Sequence, residues 1–127
     1  VTVKDKIPWE GLGSETSPYI ISTAEELYNL SYYVNTKLMA TTGVYFEMTD
    51  NIDLSDYDNW TPIGSDRNQF DGVFDGDGYV IDNLTSLRGG LFGTVCQNAV
   101  IKNVGVASGE IGKENIHFVP RRYRQME

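Results

Sequence analysis

The sequence predicts a mainly β chain built as a short solenoid, with one amphipathic helix closing an end. Three observations predict it: glycines concentrated among short apolar runs, apolar–polar alternation after Val44, and an internal repeat. Thirteen of the 127 residues are glycine. Most lie between residues 64 and 112 inside runs of Val, Ile, Leu and Phe, the texture of short strands joined by tight turns. Tyr79-Val-Ile-Asp-Asn-Leu84 aligns with Ala99-Val-Ile-Lys-Asn-Val104 at an offset of 20 residues. A repeat of that size suits coils that cannot bury an apolar face alone and so stack on a neighbour.

Along the chain, residues 1 to 22 read as a loop rich in Gly, Ser and Pro that runs into a short strand at Ile20 and Ile21. Ser22-Thr-Ala-Glu25 has capping-box spacing, and Leu27, Leu30, Tyr33 and Val34 recur at helical spacing behind it, which predicts a helix over 23–36. Tyr45-Phe-Glu-Met48 and Asn51-Ile-Asp-Leu54 alternate and predict strands. Trp60-Thr-Pro-Ile-Gly64 reads as a corner in which Pro62 fixes a turn and Ile63 points inward. Asn83 and Asn103 fit turns in the left-handed conformation, each able to bond its equivalent one coil away.

Composition narrows the function. A chain of this length is one domain. It carries a net charge of −8, and residues 1–112 hold 16 acids against 6 bases. The one basic cluster, Arg121, Arg122 and Arg124, sits in the segment 113–127, where the glycine rhythm is lost. That field repels a phosphate backbone and an anionic membrane, so nucleic acid is excluded as a partner. No apolar run is long enough to span a bilayer. Cys96, the single cysteine, cannot form an internal disulfide and reads as a small buried side chain. No basic-then-apolar leader stands at Val1, which leaves a cytosolic chain or a mature fragment of a longer exported one.

Several motifs then occur together: Trp9-x-Gly-x-Gly-Ser14, Ser17-Pro-Tyr-x-Ile-Ser-Thr-Ala-Glu-Glu-Leu27, Asn51-Ile-Asp-Leu-Ser55, Trp60-Thr-Pro-Ile-Gly64, Phe70-Asp-Gly-Val-Phe-Asp-Gly-Asp-Gly78 and Gly90-Leu-Phe-Gly93. In this order they resemble bacterial GLUG-repeat proteins, over about Trp9 to Val106. The resemblance implies a right-handed parallel β-helix in a secreted or cell-surface, adhesin-like protein. It also implies kinship with non-catalytic regions of immunoglobulin-A-cleaving metallopeptidases. On that reading residues 1–112 are one GLUG-type module with a capping helix at about 23–36, and 113–127 are a tail. No catalytic residue carries over, because zinc peptidases of that kind need His-Glu-x-x-His and this chain contains only His117.

Two groups of side chains could carry chemistry. Asp71, Asp75 and Asp77, with Asp82 beyond them, are interleaved with Gly72, Gly76 and Gly78. They could gather a hard cation such as Ca²⁺, or pair as acid and base on a polysaccharide. The same residues are also what tight turns require, glycine for positive φ and aspartate to bond its own backbone, and that structural reading weighs more. Trp60, Tyr57 and Tyr79, with Trp9 and Tyr19, could stack on sugar rings or could fill the interior.

The expectation is therefore a non-enzymatic structural or adhesive module with no cofactor. Its partners would be a host glycan or extracellular-matrix ligand and the neighbouring domains of a longer chain. The alternative is a carbohydrate-binding or polysaccharide-degrading β-helix fragment. Unpaired strand edges at an open coil end would favour self-association.

Overall fold

A computed structural model describes residues 7–107 and 109–111. The elements run β1 (Tyr19–Ile21), α1 (Ala24–Asn35), β2 (Tyr45–Met48), β3 (Ile52–Asp53), β4 (Val73–Asp75), β5 (Val80–Asp82), β6 (Leu84–Ser86), β7 (Val100–Lys102), β8 (Gly105–Val106) and β9 (Gly109–Ile111). The protein is mainly β with one short helix, as the patterning predicts. The predicted segment 113–127 lies outside the described residues.

The strands form three sheets, ordered β1-β2-β4-β7, β3-β5-β8 and β6-β9, and every pairing is parallel. Paired residues lie 25 to 29 apart in sequence, from Val80↔Gly105 to Ile52↔Ile81. The chain thus returns to the same sheet after each pass, leaving room for the long crossover that parallel pairing needs. Between the strands, residues 60–70 run beside 85–96: Ile63 N–H donates to Leu91 O, Gly93 N–H to Ile63 O and Cys96 N–H to Phe70 O.

This spacing corrects the 20-residue repeat. Val80-Ile-Asp and Val100-Ile-Lys belong to different sheets and do not stack on each other; β5 pairs with β8, and β7 with β4. What recurs is a corner: a strand ending at Asp82 or Lys102, then an asparagine at φ 60° or 59°, then a buried Leu84 or Val104. The left-handed turn is as expected for asparagine, but the side-chain partner is not an equivalent asparagine. Asn83 Nδ2 donates to Asp53 Oδ1 at 2.8 Å and Asn103 Nδ2 to Asp75 Oδ1 at 3.1 Å, each reaching one pass back.

Parallel register lays like side chains over like. Phe46, Phe74 and Ile101 are consecutive partners, as are Ile52, Ile81 and Val106. Phe46, Phe74, Ile52, Ile81 and Ile101 are almost wholly buried, and Phe70, Phe74 and Phe92 meet at 5.2–5.3 Å in tilted or edge-on contacts. Ile63 is fully buried, as its place in the corner predicts. Two glycines permit the close spacing for different reasons. Gly64 has φ +98°, and a Cβ there would stand 2.2 Å from Thr94 O. Gly76 needs no positive φ, but a Cβ would meet Val104 Cα at 2.6 Å; the left-handed residues of that turn are Asp77 and Gly78.

The helix begins one residue later than the spacing suggested. Thr23 is the N-cap, its hydroxyl accepting from Glu26 N–H while Glu26 accepts from Thr23 N–H, so the capping box is Thr23…Glu26 and not Ser22…Glu25. Leu27, Leu30, Ser31 and Val34 form its buried side. Ser31 and Asn35 then bond it to the strand-like segment after Trp60. Ser31 Oγ donates to Thr61 O at 2.8 Å, Asn35 Nδ2 donates to Pro62 O at 2.9 Å, and Asn35 Oδ1 accepts from Gly64 N–H at 2.9 Å. Asn35 O accepts from Asn68 Nδ2 at 2.7 Å. Residues 60–64 are therefore paired with 85–91 on one side and with α1 on the other, and the helix covers backbone that a further pass would otherwise take.

Replacing Asn35 by alanine strands the Pro62 carbonyl and Gly64 N–H, both in buried residues. The expected loss is about 1–3 kcal/mol, the cost of leaving buried polar groups unpaired. Urea unfolding of Asn35→Ala checks it; a midpoint equal to that of the parent contradicts the clamp.

Candidate functional site

Three surface features hold the side chains that could carry chemistry, each placed by a different part of the fold. The first is the outward row of the largest sheet. Side chains alternate along a strand, so Glu47 on β2, Asp75 on β4 and Lys102 on β7 follow one another in register on the solvent side. Burial and then the neighbouring carboxylates of Asp77 and Asp75 push the Glu47 carboxyl above its usual range, and a hydrogen bond to Asp77 adds to this. Asp75 Oδ1 accepts from Asp77 N–H at 2.9 Å as well as from Asn103, so it serves the turn it belongs to.

Asp71, the third candidate of the acidic run, lies elsewhere. Its N–H donates to Thr41 Oγ1 at 2.8 Å and its Oδ2 accepts from Thr42 Oγ1 at 2.6 Å. It borders a shallow depression of about 320 Å³ shared with Lys37, Arg67 and Cys96. The fold therefore brings Asp75 and Asp77 together with Glu47 and separates them from Asp71. Among the described residues no three His, Cys, Asp or Glu side chains are grouped as a metal would require. Cys96 is half-buried rather than enclosed, and burial followed by the Asp71 charge pushes its thiol up, which disfavours the reactive thiolate. Asp53 shows the opposite effect: bonds from Asn83 and Ser55 hold its carboxyl below the usual range.

The third feature is aromatic. Of the three residues singled out as sugar-stacking candidates, Trp60 is 2% exposed and its Nε1 donates to Leu91 O at 3.1 Å. A ring so enclosed fills the interior, the other role this residue allowed. Trp9 likewise is buried, its Nε1 bonded to Glu26 O, with Tyr19, Tyr33 and Phe46 around it. Tyr79 is half-buried at the corner before β5. Tyr57 alone joins an open aromatic surface: it stacks on Tyr28 at 5.3 Å with 28° between the planes, and both rings meet Trp60 edge-on at 6.4 and 6.5 Å.

Tyr28 and Tyr32, exposed by 41% and 48%, were not among the candidates. The signal was present. Once Leu27, Leu30 and Val34 are assigned inward, positions 28 and 32 fall one turn apart on the outer face of α1.

The fold and these surfaces define a mainly β protein of parallel sheets with one helix among the described residues. No family model matches the chain. A protein of Evansella cellulosilytica described as a "Putative Gly-rich membrane protein" is 32% identical over 114 residues, covering 82% of this chain and 12% of that protein. A crystal structure from Bacteroides ovatus, described as a "putative immunoglobulin A1 protease", superposes with a TM-score of 0.55 at 28% identity, covering 80% of this chain and 31% of the solved one. The chain thus corresponds to a minor part of each. Among the described residues no helix is long and apolar enough to cross a membrane.

The Glu47 environment has a consequence for stability. Its folded pKa is raised, so the penalty of ionising it is complete above that pKa and absent below the value in the unfolded chain. Glu47→Gln is expected to raise the melting temperature at neutral pH and to leave it unchanged at pH 3. A neutral-pH melting temperature equal to or below that of the parent contradicts the crowding of carboxylates.

Proposed function

We propose that this chain is a non-catalytic structural or adhesive module of a larger secreted or cell-surface protein, folded as a short right-handed parallel β-helix and capped at one end by α1. The observation that carries the reading is the register: six parallel strand pairings with partners 25 to 29 residues apart, with apolar side chains buried in succession at Phe46, Phe74 and Ile101 and at Ile52 and Ile81. Such a stack grows by addition of passes, so it serves as a rod segment. The right hand follows from the chirality of parallel crossovers.

Non-catalytic character is supported by what the candidate residues already do. Asp75 and Asp71 hold turns and loops together, and the thiol of Cys96 is kept protonated. The chain contains one histidine, His117, so a two-histidine zinc site of the peptidase type cannot be assembled within it. The likeness to fractions of longer proteins supports a module within a larger chain.

Incubating the purified chain with immunoglobulin A1 and with a panel of polysaccharides tests this directly. Intact heavy chain and no released reducing sugar are expected. Cleavage of either substrate that survives repurification, and is lost in Asp71→Asn or Asp75→Asn, overturns the non-catalytic reading.

A further inference from the structure

The surface around Tyr28 deepens the adhesive reading, and rests on it, by pointing to the chemistry of the partner. Of the large hydrophobic side chains exposed among the described residues, the two aromatic ones are Tyr28 and Tyr32, on one face of α1. Tyr57 joins them from the loop after β3, stacked on Tyr28. Trp60, fixed in the core by its bond to Leu91, forms the seat on which both rings stand. The Tyr28 and Tyr57 rings are thus held before any ligand arrives, which lowers the ordering cost of binding, while Tyr32 one turn along α1 meets Tyr33 edge-on at 6.2 Å.

The field around them is predominantly negative, with one base on the neighbouring pass: Arg88 follows Leu87, whose N–H donates to Asn59 Oδ1 at 3.1 Å. Residues 24–36 and 50–66 contain seven carboxylates and no lysine or arginine. Glu25 lies one helical turn from Tyr28, Asp56 and Asp58 flank Tyr57, and all three are exposed. The next bases along the chain, Lys37 and Arg67, line the separate depression beside Cys96. The outer positions of α1 at Glu25, Tyr28 and Tyr32 and its C-cap Thr36 include no aliphatic side chain, so the face is not made to receive an apolar helix.

Aromatic faces inside a negative field complement a flat, weakly hydrated cation. A guanidinium stacks on tyrosine and pairs in two-pronged fashion with a carboxylate; an ammonium is compact, strongly hydrated and suited to neither. We propose that the face formed by Tyr28, Tyr32 and Tyr57 with Glu25, Asp56 and Asp58 binds an arginine-bearing segment of a partner polypeptide. A neutral sugar would leave the carboxylate charge unused, and an anionic glycan is repelled by it.

Fluorescence polarisation of the full chain with a labelled peptide of alternating Arg and Ser tests the proposal, with the Lys-Ser peptide and unlabelled cellohexaose as alternatives. Saturable binding of the arginine peptide is expected, several-fold tighter than the lysine peptide. Tyr28→Ala and the Asp56→Asn, Asp58→Asn pair should each weaken it about tenfold, whereas the Asp75→Asn, Asp77→Asn pair, an equal charge change at the turn that ends β4, should not. Tyr32→Ala removes a ring that projects into solvent and keeps the test decisive should Tyr28→Ala unfold, which circular dichroism reports. Equal affinity for both peptides with neutral tyrosine variants would mean general charge attraction and overturn the proposal. Binding of cellohexaose that depends on Tyr28 would overturn it in favour of a sugar platform, and absence of binding would overturn it outright. None of these outcomes touches the non-catalytic reading, which fails only if the chain turns over a substrate.

Discussion

Parallel register is the constraint on which the rest of this protein depends. Because Phe46, Phe74 and Ile101 are consecutive partners, the apolar face of each pass meets an apolar face on the next, and no strand of two to four residues needs to be stable alone. Register also fixes the outside. The row that buries phenylalanine at one position sets Glu47, Asp75 and Lys102 side by side at the next, with the carboxylate crowding that raises Glu47. Close spacing then selects glycine at positions 64 and 76 and asparagine at the corners.

The two outer edges of the described sheets differ. At one end, α1 is bonded through Ser31 and Asn35 to the backbone of 61–64, and Glu10 O accepts from Ile20 N–H along the outer edge of β1. At the other, β7, β8 and β9 are each paired on one side among the described residues. Unpaired strand edges of this kind are templates for a further strand, whether from continuing chain or from another molecule. The helix does two jobs: its inner face closes the core with leucines, and its outer face supplies Tyr28 and Tyr32 to the surface.

Much of this was legible in the residues. Helical spacing of Leu27, Leu30 and Val34 located α1, alternation located β2 and β3, and the tolerance of asparagine for positive φ located the turns at Asn83 and Asn103, though not their aspartate partners. The pass length was not legible, because the strongest internal match, Val-Ile-x-Asn, encodes a corner and occurs at two of them, after β5 and after β7. It is local geometry, used in two sheets, and only pairing reveals that passes are longer and differ in length. The aromatic surface was half legible. Tyr57 and Trp60 look alike in sequence, yet one stacks on a helix that lies about thirty residues earlier and the other is walled in by residues about thirty later, contacts that no local pattern carries.

Amide hydrogen exchange, followed residue by residue, tests the stacking most directly. The amides of Tyr45, Val73, Gly93, Val100 and Ala107 each donate to a carbonyl in the preceding pass. The stack predicts strong protection for the central donor Val73, with protection falling through Val100 to Ala107 at the β7–β9 edge. Exchange of Val73 and Val100 at the rate of an unstructured peptide would contradict the parallel register and everything built upon it.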